Sequence, residues 1–254
     1  MKRAVSMPNM TSPATLVELA VLAEAAGYDG VFLWDHVVYL DVLGAPTVDP
    51  WVVLGAIAHA TETVRLGPLV TPLSRRRPWR VAQEVCTLDH LSGGRAVLGV
   101  GLGWPVEEDF ARFGEVTDDR ERAALLDDGL AVIDDAWRGS LRPAPVQQPR
   151  PPVWVAGMWP NRKPFDRAAR WDGICPLKLV AEMDEVPLLR PHELAACVAY
   201  VRERRRDGAP FDVVVSPHWE HTPAEYEDAG ATWLVTGTSL DADWPDELRR
   251  RLQQ

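Results

Sequence analysis

The stretch Arg95-Ala96-Val97-Leu98-Gly99-Val100-Gly101 decides the fold class. From position 96 to position 100 it is apolar or glycine throughout, without the alternation that a strand with one face in water would show. Continuous apolar runs of this length are typical of parallel strands that are covered on both faces. The stretch therefore predicts a parallel strand between two layers, and with it an α/β fold.

Seven more strand-like runs are spaced along the chain, and amphipathic segments lie between them. The first of these segments shows how the helices are bounded, because Ser12 is an N-cap, Pro13 stands at the first helical position and Gly27 ends the segment. Asp49-Pro50 and Thr222-Pro223 repeat this start. The predicted strands are residues 3–7, 30–34, 64–70, 95–101, 152–156, 173–177, 212–215 and 232–236.

Eight β/α units in 254 residues match the usual size of a TIM barrel, whereas a doubly wound sheet normally has fewer units. We therefore predict that residues 1–254 form one (β/α)8 TIM-barrel domain. The longest helix is predicted at 120–138, with Gly139 at its end. The proline-rich segment that follows, up to residue 152, is predicted to be an extended surface connector within this domain.

The composition of the chain argues against several classes of binding partner. A net charge of −10 and a pI near 5.1 argue against nucleic acid, since proteins that bind polyanions usually carry basic surfaces. Cys86, Cys175 and Cys197 are widely spaced and odd in number, which indicates neither a disulfide framework nor a zinc site and fits a reducing cytoplasm. No histidines and carboxylates have the spacing of metal ligands, and no apolar stretch reaches about 18 residues, so neither a metal nor a membrane is expected.

In TIM barrels the active site forms at the C-terminal ends of the strands, so the residues that follow the predicted strands are candidates. Asp35 and His36 follow the second strand and are the one adjacent acid–imidazole pair among these residues. A histidine can exchange a proton during hydride transfer, and a neighbouring carboxylate can orient its ring. The alternative is a structural pair in which Asp35 caps a turn and His36 packs against the rim.

Gly101, Gly103 and Trp104 follow the fourth strand. The segment lacks the third glycine and the later acidic residue of a dinucleotide-binding fingerprint. Glycines at a strand end can instead let a flat ring lie against the backbone, with Trp104 as a wall. A tight turn after a buried strand explains the same glycines equally well.

The loop at 157–163, Gly-Met-Trp-Pro-Asn-Arg-Lys, joins the fifth strand to a helix. Backbone N–H groups and the two cations of such a loop can hold a phosphate, although most helix starts hold none. A rival phosphate site is Thr236-Gly237-Thr238, after the last strand. The run Arg75-Arg76-Arg77 is either a patch that attracts an anion or a solvated loop.

Several blocks in this order resemble the bacterial luciferase-like flavin-dependent oxidoreductases, particularly short members related to the deazaflavin-dependent branch. The likeness covers most of the chain. The blocks are Gly-Tyr-Asp-Gly-Val-Phe-Leu-Trp-Asp-His at 27–36, Val-Arg-Leu-Gly-Pro-Leu-Val-Thr-Pro at 64–72, Leu-Asp-His-Leu-Ser-Gly-Gly-Arg at 88–95, Gly-Val-Gly-Leu-Gly at 99–103, Val-Ala-Gly at 155–157 and Arg-Ala-Ala-Arg-Trp-Asp-Gly at 167–173.

This resemblance implies an oxidoreductase barrel that holds FMN or the deazaflavin coenzyme F420. The bound cofactor would either exchange a hydride with a small organic substrate or, as reduced FMN, activate oxygen for monooxygenation. It implies that Asp35 and His36 lie near the reactive carbon of the cofactor, and that a non-proline cis peptide near Pro68-Leu69 backs the ring. The implied phosphate site is the loop after Gly157. The predicted cofactor contacts are Trp34, Pro68, Leu69, Thr71, Gly101, Gly103, Trp104, Gly157, Met158, Trp159 and Arg162.

The chain also departs from the pattern of its resemblance. Sugar-phosphate dehydrogenases of the deazaflavin branch have a glutamate after the Gly-x-Gly turn, where this chain has Trp104, which puts that reaction in doubt. The chain is short between Leu177 and Pro191, which implies a more open pocket or one completed by a second subunit, as in a homodimer.

Two other functions stay open at this point. One is a non-catalytic flavin-binding barrel or subunit, against which the Asp35-His36 pair argues. The other is an unrelated barrel enzyme such as a Schiff-base aldolase, which needs a lysine inside the barrel. The lysines of this chain are Lys2, Lys163 and Lys178, and none lies inside a predicted strand.

Overall fold

The computed structural model describes residues 1–39, 44, 46–180, 187–206, 208–241 and 243–253. The chain divides into two compact units. The smaller unit consists of Met1–Ala4 and Pro152–Gly237, and the larger unit of Val5–Pro151 and Thr238–Gln254. One boundary falls at the end of the proline-rich connector, where the sequence predicted none, and the single-domain assignment stays a prediction.

In the larger unit, parallel strands alternate with helices. Strand β1, Lys2–Met7, enters it at Val5, and the remaining elements are α1 Pro13–Ala25, β2 Gly30–Leu33, α2 Pro50–Ala60, β3 Arg65–Pro68, β4 Thr71–Pro72, α3 Pro78–Leu91, β5 Leu98–Gly101, α4 Val106–Asp109, α5 Asp119–Asp135 and α9 Trp244–Leu252. Arg249 of α9 reaches Glu18 of α1 with Nε 2.7 Å from Oε1, so the C-terminal helix packs beside the first one.

The third predicted strand is split. Strand β3 pairs in parallel with β2 from Gly30↔Arg65 to Leu33↔Pro68, and β4 pairs with β5 at Thr71↔Val100. Between β3 and β4 the peptide bond Leu69-Val70 is cis, which confirms the non-proline cis peptide predicted near Pro68-Leu69. The regular pairing of β3 with β2 ends at Pro68.

Two glycines of the larger unit allow neighbouring strands to approach closely. A Cβ atom on Gly67 would lie 1.9 Å from the carbonyl oxygen of Val97, and one on Gly99 would lie 2.3 Å from the carbonyl oxygen of Pro68. No side chain fits at such distances, so glycine is required at both positions. This is a packing reason for one glycine inside each of the predicted strands 64–70 and 95–101.

The smaller unit continues the alternation of strands and helices. Its strands pair in parallel in the order β6-β7-β8-β9, and Lys2 of β1 donates its backbone N–H to Thr232 beside β9. The elements are β6 Val153–Trp159, α6 Arg162–Ala168, β7 Gly173–Lys178, α7 Pro191–Arg204, β8 Asp212–Val215, α8 Pro223–Asp228 and β9 Trp233–Thr236.

The two faces of this sheet differ. On one face the carboxylate of Asp212 accepts the indole N–H groups of Trp154 and Trp233 at 3.1 and 3.0 Å. On the other face Gly157 lies against helix α6, since a Cβ atom there would lie 2.4 Å from Cβ of Pro164. Because side chains alternate along a strand, Met158 points to the first face and Trp159 to the helix-covered face.

The predicted helix starts are confirmed. Ser12, Asp49 and Thr222 each accept a backbone N–H of the first turn, and Gly27 follows α1 in the left-handed region at φ +74°. The longest helix differs from its prediction, because α5 ends at Asp135 and a π-helical turn, Ala136–Ser140, follows. This turn carries the buried indole of Trp137, which donates to the carbonyl of Ala82 on α3.

The predicted α/β class with a (β/α)8 TIM-barrel fold is confirmed by the order of parallel strands and helices. One detail is corrected: Lys2 and Lys178 do lie in strands, since β1 and β7 are longer than predicted. The Nζ atom of Lys178 lies 3.1 Å from Oε1 of Glu193 on α7, so this lysine forms an ion pair with a helix. Within the described residues, no helix has the length and apolar character to cross a membrane.

Candidate active site

His36 follows β2, and its imidazole pairs with a carboxylate far along the chain. Nδ1 of His36 lies 3.0 Å from Oδ2 of Asp109, the last residue of α4. The other oxygen of Asp109 accepts the backbone N–H groups of Val37 and Val38 at 2.7 and 3.0 Å. The Asp109 side chain is completely buried, whereas 15% of the His36 side chain is exposed. Nε2 of His36 has no hydrogen-bond partner in the part of the chain that the structure describes.

The charge of Asp109 is stabilised by its surroundings. Burial by itself raises the pKa of this carboxyl group, but the hydrogen bonds from His36 and Val38 and the charge of Arg75 outweigh burial, so the pKa is lowered. Nη2 of Arg75 lies 3.5 Å from Oδ2 of Asp109. The group is therefore an ionised carboxylate at neutral pH.

Asp35 does not contact the imidazole of His36, and the predicted pairing of these neighbours is corrected. Its carboxylate accepts the hydroxyl of Thr71 at 2.7 Å and a two-point contact from Arg76. Arg75 also donates to the backbone carbonyl of Asp35. Successive residues at the end of an extended strand point to opposite sides, which separates the side chains of Asp35 and His36.

The predicted alternatives for the arginine run are also corrected. Arg75 and Arg76 are neither a patch for an external anion nor a solvated loop, because their side chains are only 5% and 18% exposed and are paired with Asp35 and Asp109. Arg77 alone is exposed, at the N-cap of α3. Arg75 and Arg76 therefore form ion pairs inside the larger unit.

The backbone of His36 is held by a buried asparagine. Asn9, which follows β1, donates from Nδ2 to the carbonyl oxygens of His36 and Val48 at 2.8 and 2.7 Å. Its Oδ1 lies 3.4 Å from the backbone nitrogen of His36, which donates to it. The side chain of Asn9 therefore holds both the backbone N–H and the backbone carbonyl of His36.

Aromatic rings surround the imidazole of His36. The ring of Tyr39 lies 4.4 Å from it between centroids, and that of Trp34 lies 5.8 Å away at an interplanar angle of 72°. Tyr39 also contacts Trp104 at 5.9 Å. The indole of Trp34 donates to Ser6 of β1 at 3.0 Å, whereas 42% of Trp104 is exposed. Together these residues form a wall with an exposed edge beside His36.

In the turn after β5, side chains of the protein pack directly against Gly103. Gly103 has φ +84°, and a Cβ atom there would lie 2.7 Å from the ring of Phe110 and 2.8 Å from Pro72. Arg122 of α5 donates to the carbonyls of Leu102 and Gly103 at 2.9 and 3.0 Å. The absence of a side chain at Gly103 makes room for Phe110, so at this position the glycine is explained by a tight turn and not by a flat ligand. Gly101 is a buried residue of β5.

The predicted contacts on the third strand lie close to Asp35. Pro68 and Thr71 are buried, and Leu69 is partly exposed beside the cis peptide bond. The backbone nitrogen of Leu69 donates to the carbonyl of Leu33 at 2.7 Å. Because the hydroxyl of Thr71 is given to Asp35, Leu69 is the member of this group with surface left for a ligand.

In the smaller unit the loop residues divide between the two faces of β6. Met158 is 38% exposed on the face opposite the helices. The guanidinium of Arg162 lies over the rings of Trp159 and Tyr200 at 4.2 and 4.4 Å, on the side of α6 and α7. Helix α6 has only 7 residues and its third is Pro164, so its start offers few backbone donors for a phosphate.

Two residues of the 88–95 block are structural. Asp89 is fully buried and accepts the backbone and side-chain nitrogens of Gln147 at 2.9 and 2.7 Å. Arg95 donates to the carbonyls of Ala58, Thr61 and Val64, which ties the end of α2 to the strand that follows it. These contacts anchor the connector and a helix end, away from His36.

The sequence missed several residues around His36. Asp109 is one of three successive acidic residues, Glu107, Glu108 and Asp109, and nothing in this run singles it out. Asn9 and Tyr39 carry no motif, and Arg122 reads as part of a charged helix face. His36 and Tyr39 are close in sequence. The other contacts that give these residues their roles join positions 19 to 73 residues from each other.

A crevice of about 280 Å³ lies elsewhere in the larger unit, between α3 and the proline-rich connector. Cys86 donates to the carbonyl of Pro143 at its edge. None of the predicted site residues lines it. The lining residues are Gln83, Cys86, Thr87, His90, Leu141, Arg142 and Pro143.

Comparison with known proteins identifies the family. The sequence model of the luciferase-like monooxygenases matches residues 2–243. The chain belongs to the luciferase-like monooxygenase family. This confirms the resemblance that the sequence blocks indicated.

One relative of this luciferase-like chain is the F420-dependent glucose-6-phosphate dehydrogenase of Beutenbergia cavernae, which is 42% identical over 132 residues. The aligned part is 50% of this chain and 38% of that protein. The chain therefore spans less than two fifths of the length of this curated relative.

Two solved structures share the fold of this luciferase-like chain. An F420-dependent secondary alcohol dehydrogenase in complex with an F420-acetone adduct has a TM-score of 0.77 at 17% identity, and the match covers 99% of this chain and 97% of that one. The oxygenating constituent of 3,6-diketocamphane monooxygenase from Pseudomonas putida, in complex with FMN, has a TM-score of 0.68 at 14% identity over 85% and 66% of the two chains. At these identities the likeness shows the fold alone.

Proposed function

We propose that this luciferase-like chain is an oxidoreductase that binds deazaflavin or FMN and exchanges a hydride with a small organic substrate, with His36 as the residue that carries the proton. One observation carries this proposal: the imidazole of His36 is fixed at the carboxyl end of β2, with Nδ1 bonded to Asp109 and Nε2 without a partner among the described residues. In α/β folds this end of the strands is where ligands bind.

The residues around His36 suit a flat ring. Trp34, Tyr39 and Trp104 present aromatic surface, and the exposed fraction of Trp104 leaves part of its ring for a ligand. The nearby cations Arg75 and Arg76 are paired with carboxylates, so the fit rests on stacking and apolar contact. When bound, the flavin-type group accepts or delivers the hydride.

Hydride exchange with a hydroxyl or carbonyl compound requires that a proton move as well. His36 provides an atom for this step, since Nε2 is free to accept or donate while Nδ1 is held. Asp35 is assigned a supporting role, because its carboxylate is buried and its oxygens are used by Thr71 and Arg76. The catalytic role predicted for the pair is thereby proposed for His36 alone.

The relative from Beutenbergia cavernae favours deazaflavin as the first cofactor to test, and the structure with FMN makes FMN the second. A sugar phosphate is not favoured as the substrate, because Trp104 stands where the resemblance implies a glutamate for sugar-phosphate dehydrogenases. A small alcohol or ketone fits the apolar wall better. Contacts of the cofactor with Gly157, Met158, Trp159 and Arg162 stay predictions.

The proposal is tested by titrating the purified protein with oxidised deazaflavin and with FMN while absorbance is recorded. We expect a dissociation constant below about a millimolar, which corresponds to roughly 4 kcal/mol, for at least one of them. Reduction of the bound cofactor by propan-2-ol or glucose 6-phosphate then reports turnover, and His36→Ala is expected to lower it at least about tenfold. His59→Ala, an exposed histidine of α2, is the matched control. If neither cofactor binds, the proposed function is wrong.

We also propose a cytoplasmic location and a homodimer, both of which the sequence predicted. The three cysteines are unpaired and buried, which fits a reducing compartment. Light scattering of the purified chain distinguishes a dimer from a monomer.

A further inference from the structure

The contacts of Asp109 determine which nitrogen of His36 carries hydrogen. An ionised carboxylate can only accept hydrogen bonds, and Asp109 accepts from Val37 and Val38 as well as facing Nδ1 of His36. The Nδ1 atom must then donate. The neutral ring therefore has its hydrogen on Nδ1 and its basic lone pair on Nε2, and the protonated ring has its transferable proton on Nε2.

We propose that Asp109 is the positioning residue of this site, which holds His36 in the Nδ1–H tautomer and leaves Nε2 as the atom that accepts and returns the proton. From the sequence, this orienting role was predicted for Asp35. The inference rests on the proposed function of His36, but it concerns a carboxylate that comes from another element, 73 residues along the chain.

Asp35 cannot take over this role in the described arrangement. Its two carboxylate oxygens accept from Thr71 at 2.7 Å and from Arg76 at 2.9 and 2.7 Å, and its side chain is 1% exposed. Arg75 is shared, since its Nη2 lies 3.4 Å from Oδ1 of Asp35 and 3.5 Å from Oδ2 of Asp109. The shorter hydrogen bonds of the two aspartates come from different donors.

The place of Asp109 is fixed by its neighbours. Its backbone nitrogen donates to the carbonyl of Pro105, and the next residue, Phe110, is fully buried against Gly103. The guanidinium of Arg122 lies 4.7 Å from the Phe110 ring. The imidazole is held in turn by Asn9 through its backbone and by Tyr39 across its face. A carboxylate and a ring that are both held in this way keep one relative orientation.

The test is a long-range ¹H–¹⁵N spectrum of the cofactor-free protein with labelled histidine, in which His36→Gln assigns the signal among the 6 histidines. We expect the neutral ring of His36 to favour the Nδ1–H tautomer at least roughly tenfold, as a hydrogen bond to a charged group predicts. An Nε2–H ring in the wild-type protein overturns the inference, whether or not any variant folds.

Asp109→Asn supplies the second measurement, with Asp128→Asn at an exposed position of α5 as its control. We expect the tautomer preference of His36 to fall or reverse in Asp109→Asn and to persist in the control, because an amide can donate to Nδ1. An unchanged preference in Asp109→Asn would contradict the proposal. Since these spectra need no cofactor, failure of the proposed function, seen as absence of cofactor binding, is separate from failure of this inference.

Discussion

The guanidinium of Arg76 donates two hydrogen bonds to the carboxylate of Asp35, with Nε 2.9 Å from Oδ2 and Nη2 2.7 Å from Oδ1. Arginine presents donors in a planar fork that matches a carboxylate, so this pair fixes the orientation of both groups. Burial alone would lower the pKa of Arg76, but the charge and hydrogen bonds of Asp35, together with the charges of Asp49 and Glu84, outweigh burial and the pKa is raised. The pair thus keeps a buried negative charge beside the strand that leads to His36.

Removing Arg76 is expected to destabilise the fold, because Asp35 stays buried with only part of its compensation. We predict that Arg76→Met lowers the free energy of unfolding by about 3 kcal/mol. Urea denaturation measures this change. Arg77→Met, one position along and exposed, is the control and is expected to change stability by less than about 0.5 kcal/mol. Equal effects of the two substitutions would mean that the ion pair adds no stability.

The stabilising effect of Asp109 is expected to depend on pH in the acid range. Its pKa is lowered in the folded protein, so the carboxylate contributes its full stability above the unfolded pKa of about 3.9 and loses it as the pH falls through the folded value. We predict that Asp109→Asn is less stable than wild type by about 2 kcal/mol at pH 7, and that this difference shrinks below about pH 4. Denaturation of both proteins at several pH values measures it. A difference that grows toward acid would have the wrong sign.

The turn at Gly103 is expected to tolerate no side chain. Gly103→Ala adds a Cβ atom 2.7 Å from Phe110 at a φ of +84°, so both crowding and backbone conformation oppose it. We predict a loss of roughly 3 kcal/mol in the free energy of unfolding. Gly139→Ala, where a Cβ atom meets nothing within 4 Å, is the control. Thermal unfolding of the two variants compares them, and matching melting temperatures would refute the packing argument.

Trp104 is expected to contribute to cofactor binding. Stacking of a flat ring on the exposed part of the indole is worth about 1.4 kcal/mol, so Trp104→Ala should weaken binding roughly tenfold. Trp79→Ala removes a tryptophan of α3 that is more exposed than Trp104, and it should leave the dissociation constant unchanged. Equilibrium titration with deazaflavin measures both. If Trp104→Ala binds as tightly as wild type, Trp104 is not a wall of the site.

Much of the fold could be predicted from the sequence because its signals are local. The apolar run at 96–100 and its seven counterparts mark strands, and caps such as Ser12 and Thr222 mark helix starts, each within a few residues. The end of α5 could not be predicted in this way. There a buried Trp137 and its bond to Ala82 of another helix favour a π-helical turn, which is a tertiary effect.

The position of the candidate site could be predicted from the sequence, but the hydrogen-bond partners of its residues could not. The fold rule pointed to His36 because it follows a strand, and the structure keeps it at that strand end. Its partner was expected to be the adjacent Asp35, whereas the carboxylate that meets the ring is Asp109. Adjacency in sequence says little about contact after a strand, since neighbouring side chains point apart, and a contact across 73 residues leaves no local pattern.

The proposed function puts a flat redox cofactor beside the imidazole of His36. A titration of histidine-labelled protein with oxidised deazaflavin and with FMN, in which the ring resonances are recorded, tests this position. We predict that the His36 signal moves in proportion to occupancy, while those of the exposed His59 and His192 stay in place. A bound cofactor that leaves His36 unmoved, or no binding below about a millimolar by either compound, would contradict the account.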